Sequence, residues 1–188
     1  MNGLRLVSSC PNLEPGLRGA SVAHPCLEAF QREFTYLTRT LRRLGVSRDD
    51  VEDLAHEVFL VLYRTWEVYD PARPLRAYLF GIAFRVARDH LRKRRREVSN
   101  AVLEIDDLGP RADQEFETNQ RRALLLKALE QVPLPNRAVL VMHDIEEIPM
   151  AEIASTLSIL RFTGYSRLRR ARKVLAAAVA SLGQGRQP

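Results

Sequence analysis

An all-α fold is predicted for this 188-residue chain. Apolar residues recur with a helical period along two stretches, 51–63 and 79–90. Charge is also segregated, since 85–96 holds seven Arg or Lys with one acid, 97–117 holds seven Asp or Glu with one base, and 161–188 holds seven Arg or Lys with no acid. A chain of this length can form one or two domains, and its net charge of +6 favours polyanionic partners.

The first 25 residues are predicted to form a mobile N-terminal tail, because they mix Pro, Gly and Ser and lack the basic start and apolar core of a signal peptide. Cys10 and Cys26 are too few to predict a disulfide framework, and no apolar run reaches the roughly 20 residues of a transmembrane helix. A cytoplasmic location is therefore expected. Together with His24, the cysteines supply fewer ligands than a structural zinc site needs, so neither a metal nor a cofactor is expected.

A helix over 51–63 would place its apolar residues on one side and a mixed, mainly acidic set on the other. The outward set is Asp53, His56, Glu57 and Leu60. Surfaces that bind partners typically combine an apolar anchor with a polar rim, so this face is a candidate docking surface. The alternative interpretation is a solvated face that carries one stray leucine.

The next helix is expected to begin after 70–73, with Pro74 at its first position, where the missing N–H has no cost. Its inner stripe is predicted to contain Leu79, Ile82, Ala83, Val86 and His90. Its far side carries a line of arginines that could track a negatively charged polymer, namely Arg85, Arg88, Arg92 and Arg96. Tyr78 and Phe80, near the start of this helix, could stack on unpaired bases; the alternative for each is a core position.

The acidic segment 98–117 contains Gly109-Pro110 and weak periodicity, which predicts a flexible linker. Its charge could also mimic nucleic acid inside a larger assembly, and the alternative is an ordinary solvated linker. Beyond it, three helices are predicted around a small core. Pro135 can start the first, and the inner faces of the other two are Met150, Ile153, Ala154 and Leu157, then Leu168, Ala171 and Leu175.

The two halves of the chain resemble two regions of one known family. The chain reads DVEDLAHEVFL at 50–60 and LRAYLFGIA at 75–83, followed by the arginines, and this resembles region 2 of the extracytoplasmic-function subfamily of bacterial sigma-70 RNA polymerase sigma factors. The stretches 135–140, 150–154 and 165–172 resemble region 4. Two matches in the right order are more specific than either alone, because helix-turn-helix patterns recur widely.

The resemblance implies two small helical domains joined by the linker, with no catalytic residues. Region 2 would occupy 26–97, region 4 with its helix-turn-helix would occupy 118–182, and 183–188 would form a C-terminal tail. The implied partners are core RNA polymerase, through its β′ clamp helices and β flap, and promoter DNA. An anti-sigma factor is a further partner that members of this family commonly have.

Roles for individual residues follow from the same resemblance. Core polymerase would bind the face of Asp53, His56, Glu57 and Leu60. The loop 70–76 would capture and melt the −10 element together with Tyr78, Arg85, Arg88, Arg92, Arg95 and Arg96. Candidates for contact with the −35 element are Arg161, Thr163, Tyr165, Ser166, Arg167, Arg169 and Arg170, the early ones near base edges and the later ones near phosphates.

Several positions depart from the family pattern. His56 stands where glutamine is usual, Tyr78 where tryptophan is common, and Arg85 where asparagine is common, which changes the polar contacts available to an extruded base. In the second region the departures are Ser158 for the turn glycine, Leu160 for a proline and Gly164 for a β-branched core residue. Gly164 predicts either a weakened core or a repacked one in which Phe162 or Tyr165 fills the vacant position.

The expected function is an initiation factor that recruits core polymerase to a promoter. One alternative is a helix-turn-helix regulator that binds duplex DNA, although such a protein has no need of the docking face at 53–60. Another is a sigma-like interaction protein with a degenerate recognition helix, which Leu160 and Gly164 favour. An enzyme is not expected, because the sequence has no Cys/His/Asp cluster, phosphate loop or nucleophile motif. Neither a small-molecule substrate nor membrane insertion is expected.

Overall fold

The computed structural model describes residues 24–98 and 114–184, and all regular structure in these ranges is helical, which confirms the predicted fold class. The first half contains α1 (Pro25–Arg43), α2 (Val51–Arg64), one 3-10 turn (Trp66–Val68) and α3 (Leu75–Val98). The second half contains α4 (Gln114–Glu130), α5 (Leu134–Leu140), a π-helical turn (Val141–Ile145), α6 (Met150–Thr156) and α7 (Arg161–Gln184). None of the helices in the described ranges is long and apolar enough to cross a bilayer.

Most of the predicted tails and linker, at 1–23, 99–113 and 185–188, lies outside the described residues. At their edges, helices extend into these segments. The His24 ring caps α1 by accepting a hydrogen bond from the Cys26 N–H at 3.2 Å, and α7 continues to residue 184. Helix also replaces the predicted linker over 114–117, because Gln and Glu have high helix propensity even in an acidic segment.

The first three helices pack their apolar faces together as the sequence predicts. Leu79, Ile82 and Ala83 are buried, while Val86 and His90 are half-buried. Phe80 is fully buried, so its proposed stacking role is wrong and the core alternative is correct. Gly45 ends α1 at φ +96°, and the Val46 N–H beyond it donates to the Leu41 carbonyl at 3.1 Å, a closure that favours glycine.

The turn between α6 and α7 keeps its geometry without the usual glycine. Ser158 adopts φ +52°, a left-handed conformation that is uncommon for residues with a side chain. The Ile159 N–H donates to the Ala154 carbonyl at 2.9 Å, and the Ser158 N–H donates to the Ser155 carbonyl at 3.2 Å. These two bonds close the end of α6 as a glycine would, and α7 begins at Arg161.

The two halves of the chain contact each other through polar groups. The buried guanidinium group of Arg137 on α5 donates to the Leu44 carbonyl at the end of α1, at 2.8 Å. Arg43 on α1 forms an ion pair with Glu146. On the other side, Arg73 before α3 donates to the Ser155 hydroxyl on α6 at 3.2 Å. These polar contacts accompany one cluster of buried apolar residues that includes members of both halves, among them Leu44 and Val132.

Gly164 is accommodated in a way that the sequence does not predict. Neither Phe162 nor Tyr165 fills the position, since these side chains are 82% and 58% exposed. Instead, the thioether of Met150 on α6 lies where a side chain at Gly164 would project, closer to the ideal Cβ position than real contacts come. Met150 is buried, and its flexible side chain suits an irregular space. The core side of α7 otherwise follows the prediction, with Leu168 and Ala171 buried.

Gly164→Val is therefore expected to lower the free energy of unfolding by ~1–3 kcal/mol, because the new side chain must displace Met150 from a packed site. Denaturant melts of the full chain would measure the change. The matched control is the double variant Met150→Ala/Gly164→Val, which should lose less stability than the two single changes added together. Fully additive costs would contradict the assignment of Met150 as the occupant.

Candidate nucleic-acid interface

The outward face of α2 has the predicted composition and exposure. Asp53, His56, Glu57 and Leu60 are all exposed, and the Leu60 side chain is 51% exposed. Tyr63, one helical turn further along, is 52% exposed and extends the apolar part of this face. Tyr63 was not predicted as part of this face, although its i+3 spacing from Leu60 is the signal that could have identified it.

A groove of about 520 Å³ lies between α2 and α3, next to this face. Leu54, Val61 and Ile82 form its floor, and Glu57 and Arg85 are among the charged residues that line it. The Arg85 Nε donates to the Gly81 carbonyl at 3.1 Å, which holds this side chain along its own helix. Arg85 therefore belongs both to the arginine line of α3 and to the border of the groove.

The arginines of α3 form a line of exposed cations. Arg85, Arg88, Arg92, Arg95 and Arg96 are all exposed. Arg88 pairs with the adjacent Asp89 at 3.0 Å, whereas Arg92, Arg95 and Arg96 make no ion pair within the described residues. Arg94 differs, because it pairs with Asp50 at 3.2 Å, near the start of α2. The hydrogen bond from Ser47 and the proximity of His90 and Arg94 hold the pKa of Asp50 below its usual range.

Tyr78 is part of an aromatic cluster and is not an isolated ring. Its hydroxyl donates to the Thr65 hydroxyl at 2.8 Å, and its ring centroid lies 4.9 Å from that of Tyr69. Tyr69 in turn lies 5.6 Å from Trp66. Tyr78 was predicted from the sequence, whereas Trp66 and Tyr69 were not, because their contact with Tyr78 depends on how the loop 70–74 turns the chain back. The three half-buried rings form one continuous aromatic cluster.

The loop that joins this cluster to α3 is also fixed by local bonds. The Asp70 carboxylate accepts a hydrogen bond from the Ala72 N–H at 2.9 Å, and the Tyr69 hydroxyl donates to the Arg73 carbonyl at 2.7 Å. The side chains of 70–74 are exposed. This arrangement leaves an exposed loop beside aromatic rings and a cationic helix, which suits contact with a single strand of nucleic acid.

The predicted contact residues of the second half lie around the first turns of α7. Arg161, Tyr165, Arg169 and Arg170 are exposed, and Thr163, Ser166 and Arg167 are half-buried. Residues 161–184 include no Asp or Glu, and their basic residues all lie in 161–173, so the first half of the helix presents positive charge. Arg172 differs from these residues, because its guanidinium group donates to both carboxylate oxygens of Asp144, at 2.7 and 2.8 Å. This bond lowers the pKa of Asp144 and attaches α7 to the π-helical turn.

The comparisons with known proteins agree with this geometry. A family model described as sigma-70 region 2 matches residues 29–97, and a sigma-70 region 4 model matches residues 120–175. The chain is 32% identical over 141 residues to the ECF RNA polymerase sigma factor SigE of Mycolicibacterium smegmatis, covering 73% of this chain and 54% of SigE. It is 32% identical over 171 residues to the ECF sigma factor SigL of Mycobacterium tuberculosis, covering 88% of this chain and 96% of SigL.

Solved structures of sigma factors share the fold. The sigma factor RpoE in complex with the anti-sigma factor NepR from Bartonella quintana matches with a TM-score of 0.62 and 21% identity, over 81% of this chain and 98% of RpoE. CnrH in complex with the cytosolic domain of CnrY matches with a TM-score of 0.59 and 23% identity, over 83% of this chain and 88% of CnrH. With both family regions present in order, the chain belongs to the extracytoplasmic-function subfamily of sigma-70 RNA polymerase sigma factors.

Proposed function

We propose that this chain binds core RNA polymerase and directs it to promoters. The observation that carries the proposal is the presence, in one chain, of an acidic face with an exposed Leu60 on α2 and an acid-free α7 in a helix-turn-helix. A regulator that acts alone needs the second feature but not the first. As an initiation factor it works in the cytoplasm and contributes binding energy only, since the polymerase forms the phosphodiester bonds.

The proposed mechanism assigns each surface to one step. The face Asp53, His56, Glu57 and Leu60 binds the β′ clamp helices, and the second half of the chain meets the β flap. The recognition helix α7 grips duplex DNA at the −35 element. The aromatic cluster and the arginine line then capture unpaired bases at the −10 element, which offsets the few kcal/mol needed to unstack a base.

The local structure around the recognition helix favours DNA binding over the alternative of a degenerate helix that no longer binds promoters. Ser158 closes the turn in the conformation that a glycine would adopt, and Met150 fills the space beside Gly164. The departures at Ser158 and Gly164 are therefore compensated within the fold. An anti-sigma partner is also proposed, because the related RpoE and CnrH were solved in complexes with NepR and the cytosolic domain of CnrY.

The experiment that tests the function is transcription in vitro with purified core polymerase on sheared genomic DNA, followed by mapping of the RNA starts. Initiation at a small set of sites that share upstream sequences is expected. A chain that binds DNA but leaves the starts of core polymerase unchanged would instead be a regulator. A chain that binds neither polymerase nor DNA would contradict both readings.

The exposed arginines of α3 lead to a prediction about how promoter binding depends on salt concentration. Arg92→Ala and Arg96→Ala are each expected to weaken promoter binding across sequences and to reduce the slope of log K against log salt by ~1, if each contacts one phosphate. Titrations of the holoenzyme at several salt concentrations would measure the slope. Arg94→Ala is the matched control on the same helix and should change the slope less, because Arg94 pairs with Asp50. Equal slopes for all three variants and the wild type would remove α3 from the interface.

A further inference from the structure

The most exposed large apolar side chain in the described part of the chain is Phe162, at 82%. It lies in the first turn of α7, and it is not among the candidates for contact with the −35 element, all of which carry a polar or charged group. A phenylalanine left in water forgoes the stabilisation that burial of its ring would provide. Leu160, at 76%, and Tyr165, at 58%, are also exposed close to it in the chain, and a group of exposed large apolar side chains marks a surface that a partner covers.

Phe162 points away from the core of the second half. The buried side of α7 is defined by Gly164, Leu168 and Ala171, and a residue two positions before Gly164 lies about 160° around the helix from it. On the same outward line follow Ser166, Arg169 and Lys173, at spacings of four, three and four residues. The ring therefore occupies the N-terminal end of the outermost stripe of the recognition helix.

The charges around Phe162 indicate the class of partner. Arg161, Arg169 and Arg170 are exposed on the same part of α7, and residues 161–184 contain no acid. The partner must therefore combine negative charge with an apolar group that a ring can contact. The major groove of DNA has this combination, because phosphates line its walls and the C5-methyl group of thymine projects into it.

We infer that Phe162 reads thymine in the upstream promoter element by packing its ring against the C5-methyl group. The N-terminal residues of a recognition helix contact base edges, and Phe162 is the second residue of α7. This inference rests on the proposed function, since it deepens the role of α7 in promoter binding. It adds an apolar, base-specific contact to a surface whose other exposed residues are mainly basic.

The test compares thymine with deoxyuridine, which lacks only the methyl group. Holoenzyme is titrated with a promoter duplex taken from the mapped starts, in which single thymines of the upstream element are replaced in turn by deoxyuridine. For the wild type, one replacement should weaken binding about fourfold, which corresponds to about 0.8 kcal/mol for one methyl group. Phe162→Ala should weaken binding to the thymine duplex and should bind both duplexes equally at that position.

Two further variants keep the result specific. Phe162→Leu should retain part of the discrimination, because a smaller apolar side chain still meets the methyl group. Val179→Ala, at an exposed apolar residue near the far end of α7, should discriminate as the wild type does. Circular dichroism would show that the variants are folded, as expected for changes at exposed positions.

The outcomes separate this inference from the proposed function. Equal binding of both duplexes by the wild type at every position, or discrimination that persists in Phe162→Ala, would overturn the thymine contact while promoter binding stands. Unchanged DNA affinity with weaker binding of core polymerase in Phe162→Ala would overturn it in favour of a protein-docking role. A holoenzyme without affinity for the upstream duplex would overturn the inference and the proposed function together.

Discussion

Glu57→Arg combined with Leu60→Glu is expected to weaken association with core RNA polymerase by at least about 100-fold. Leu60 is an exposed apolar residue within an acidic face, so it would be buried only in the complex. Loss of such an anchor typically costs ~2 kcal/mol or more, and a glutamate at its place would be buried without a partner. Co-purification and titration with purified core polymerase would measure the loss.

The same double variant should fold normally, because changes at exposed positions away from special features usually alter stability by about 0.5 kcal/mol or less. Val179→Glu is the matched control, since it places the same charge at an apolar residue that is also 51% exposed. It should bind core polymerase as the wild type does. Unchanged co-purification of the folded double variant would exclude the α2 face as the polymerase site.

Helix faces were predictable from the sequence because burial follows the helical period. Apolar residues at i, i+3 and i+4 placed Leu54, Val58 and Leu62 of α2 in the core and left Asp53 and Leu60 exposed. The same reasoning applied to α3 identified its buried stripe and its arginine line. The apolar pattern of a helix lies within its own sequence, so its buried face can be predicted without knowing which helices pack against it.

Contacts between distant parts of the chain were not predictable in the same way. Trp66 and Tyr69 contact each other and Tyr78 only because the loop 70–74 turns the chain back. The spacing of apolar residues in the sequence does not predict that turn. Likewise, Met150 fills the space at Gly164 from a different helix. The sequence correctly showed that a core side chain was missing, but a flexible thioether could occupy the gap from any direction.

Charge was informative for surfaces and misleading for one boundary. The absence of acids in 161–188 predicted a basic surface on the recognition helix, because exposed charge needs no particular packing. The acids of 98–117 predicted a linker, yet α4 begins at Gln114. Acidic composition is compatible with both solvated coil and helix, so it could not locate the start of α4.

Arg137 was not identified from the sequence at all, and it is central to the packing of the two halves. Arg137 is 6% exposed, and its guanidinium group donates to three carbonyl groups, at 2.8 Å to Leu44, 2.8 Å to Glu130 and 3.0 to 3.1 Å to Val132. Burial lowers its pKa to about 10, so it remains charged at neutral pH. Gly45 has no side chain at the point where Arg137 approaches, and a Cβ atom there would collide with the guanidinium group.

Arg137→Met is therefore expected to lower the free energy of unfolding by ~3–5 kcal/mol. Methionine fills much of the volume but leaves the carbonyls of Leu44, Glu130 and Val132 without their donor, and each buried unsatisfied group costs ~1–3 kcal/mol. The midpoint of thermal unfolding should fall by roughly 10 °C, which calorimetry or circular dichroism would detect.

Arg172→Met is the matched control for this prediction, because it removes an arginine from an exposed ion pair with Asp144. Its expected cost is small compared with that of Arg137→Met, since solvent screens such pairs. Similar, small losses of stability in the two variants would contradict this prediction. They would mean that water can hydrogen-bond to the carbonyl groups around Arg137, and that the two halves of the chain separate readily. A large difference between the variants instead means that Arg137 holds the end of α1 against α5 through hydrogen bonds that water does not replace.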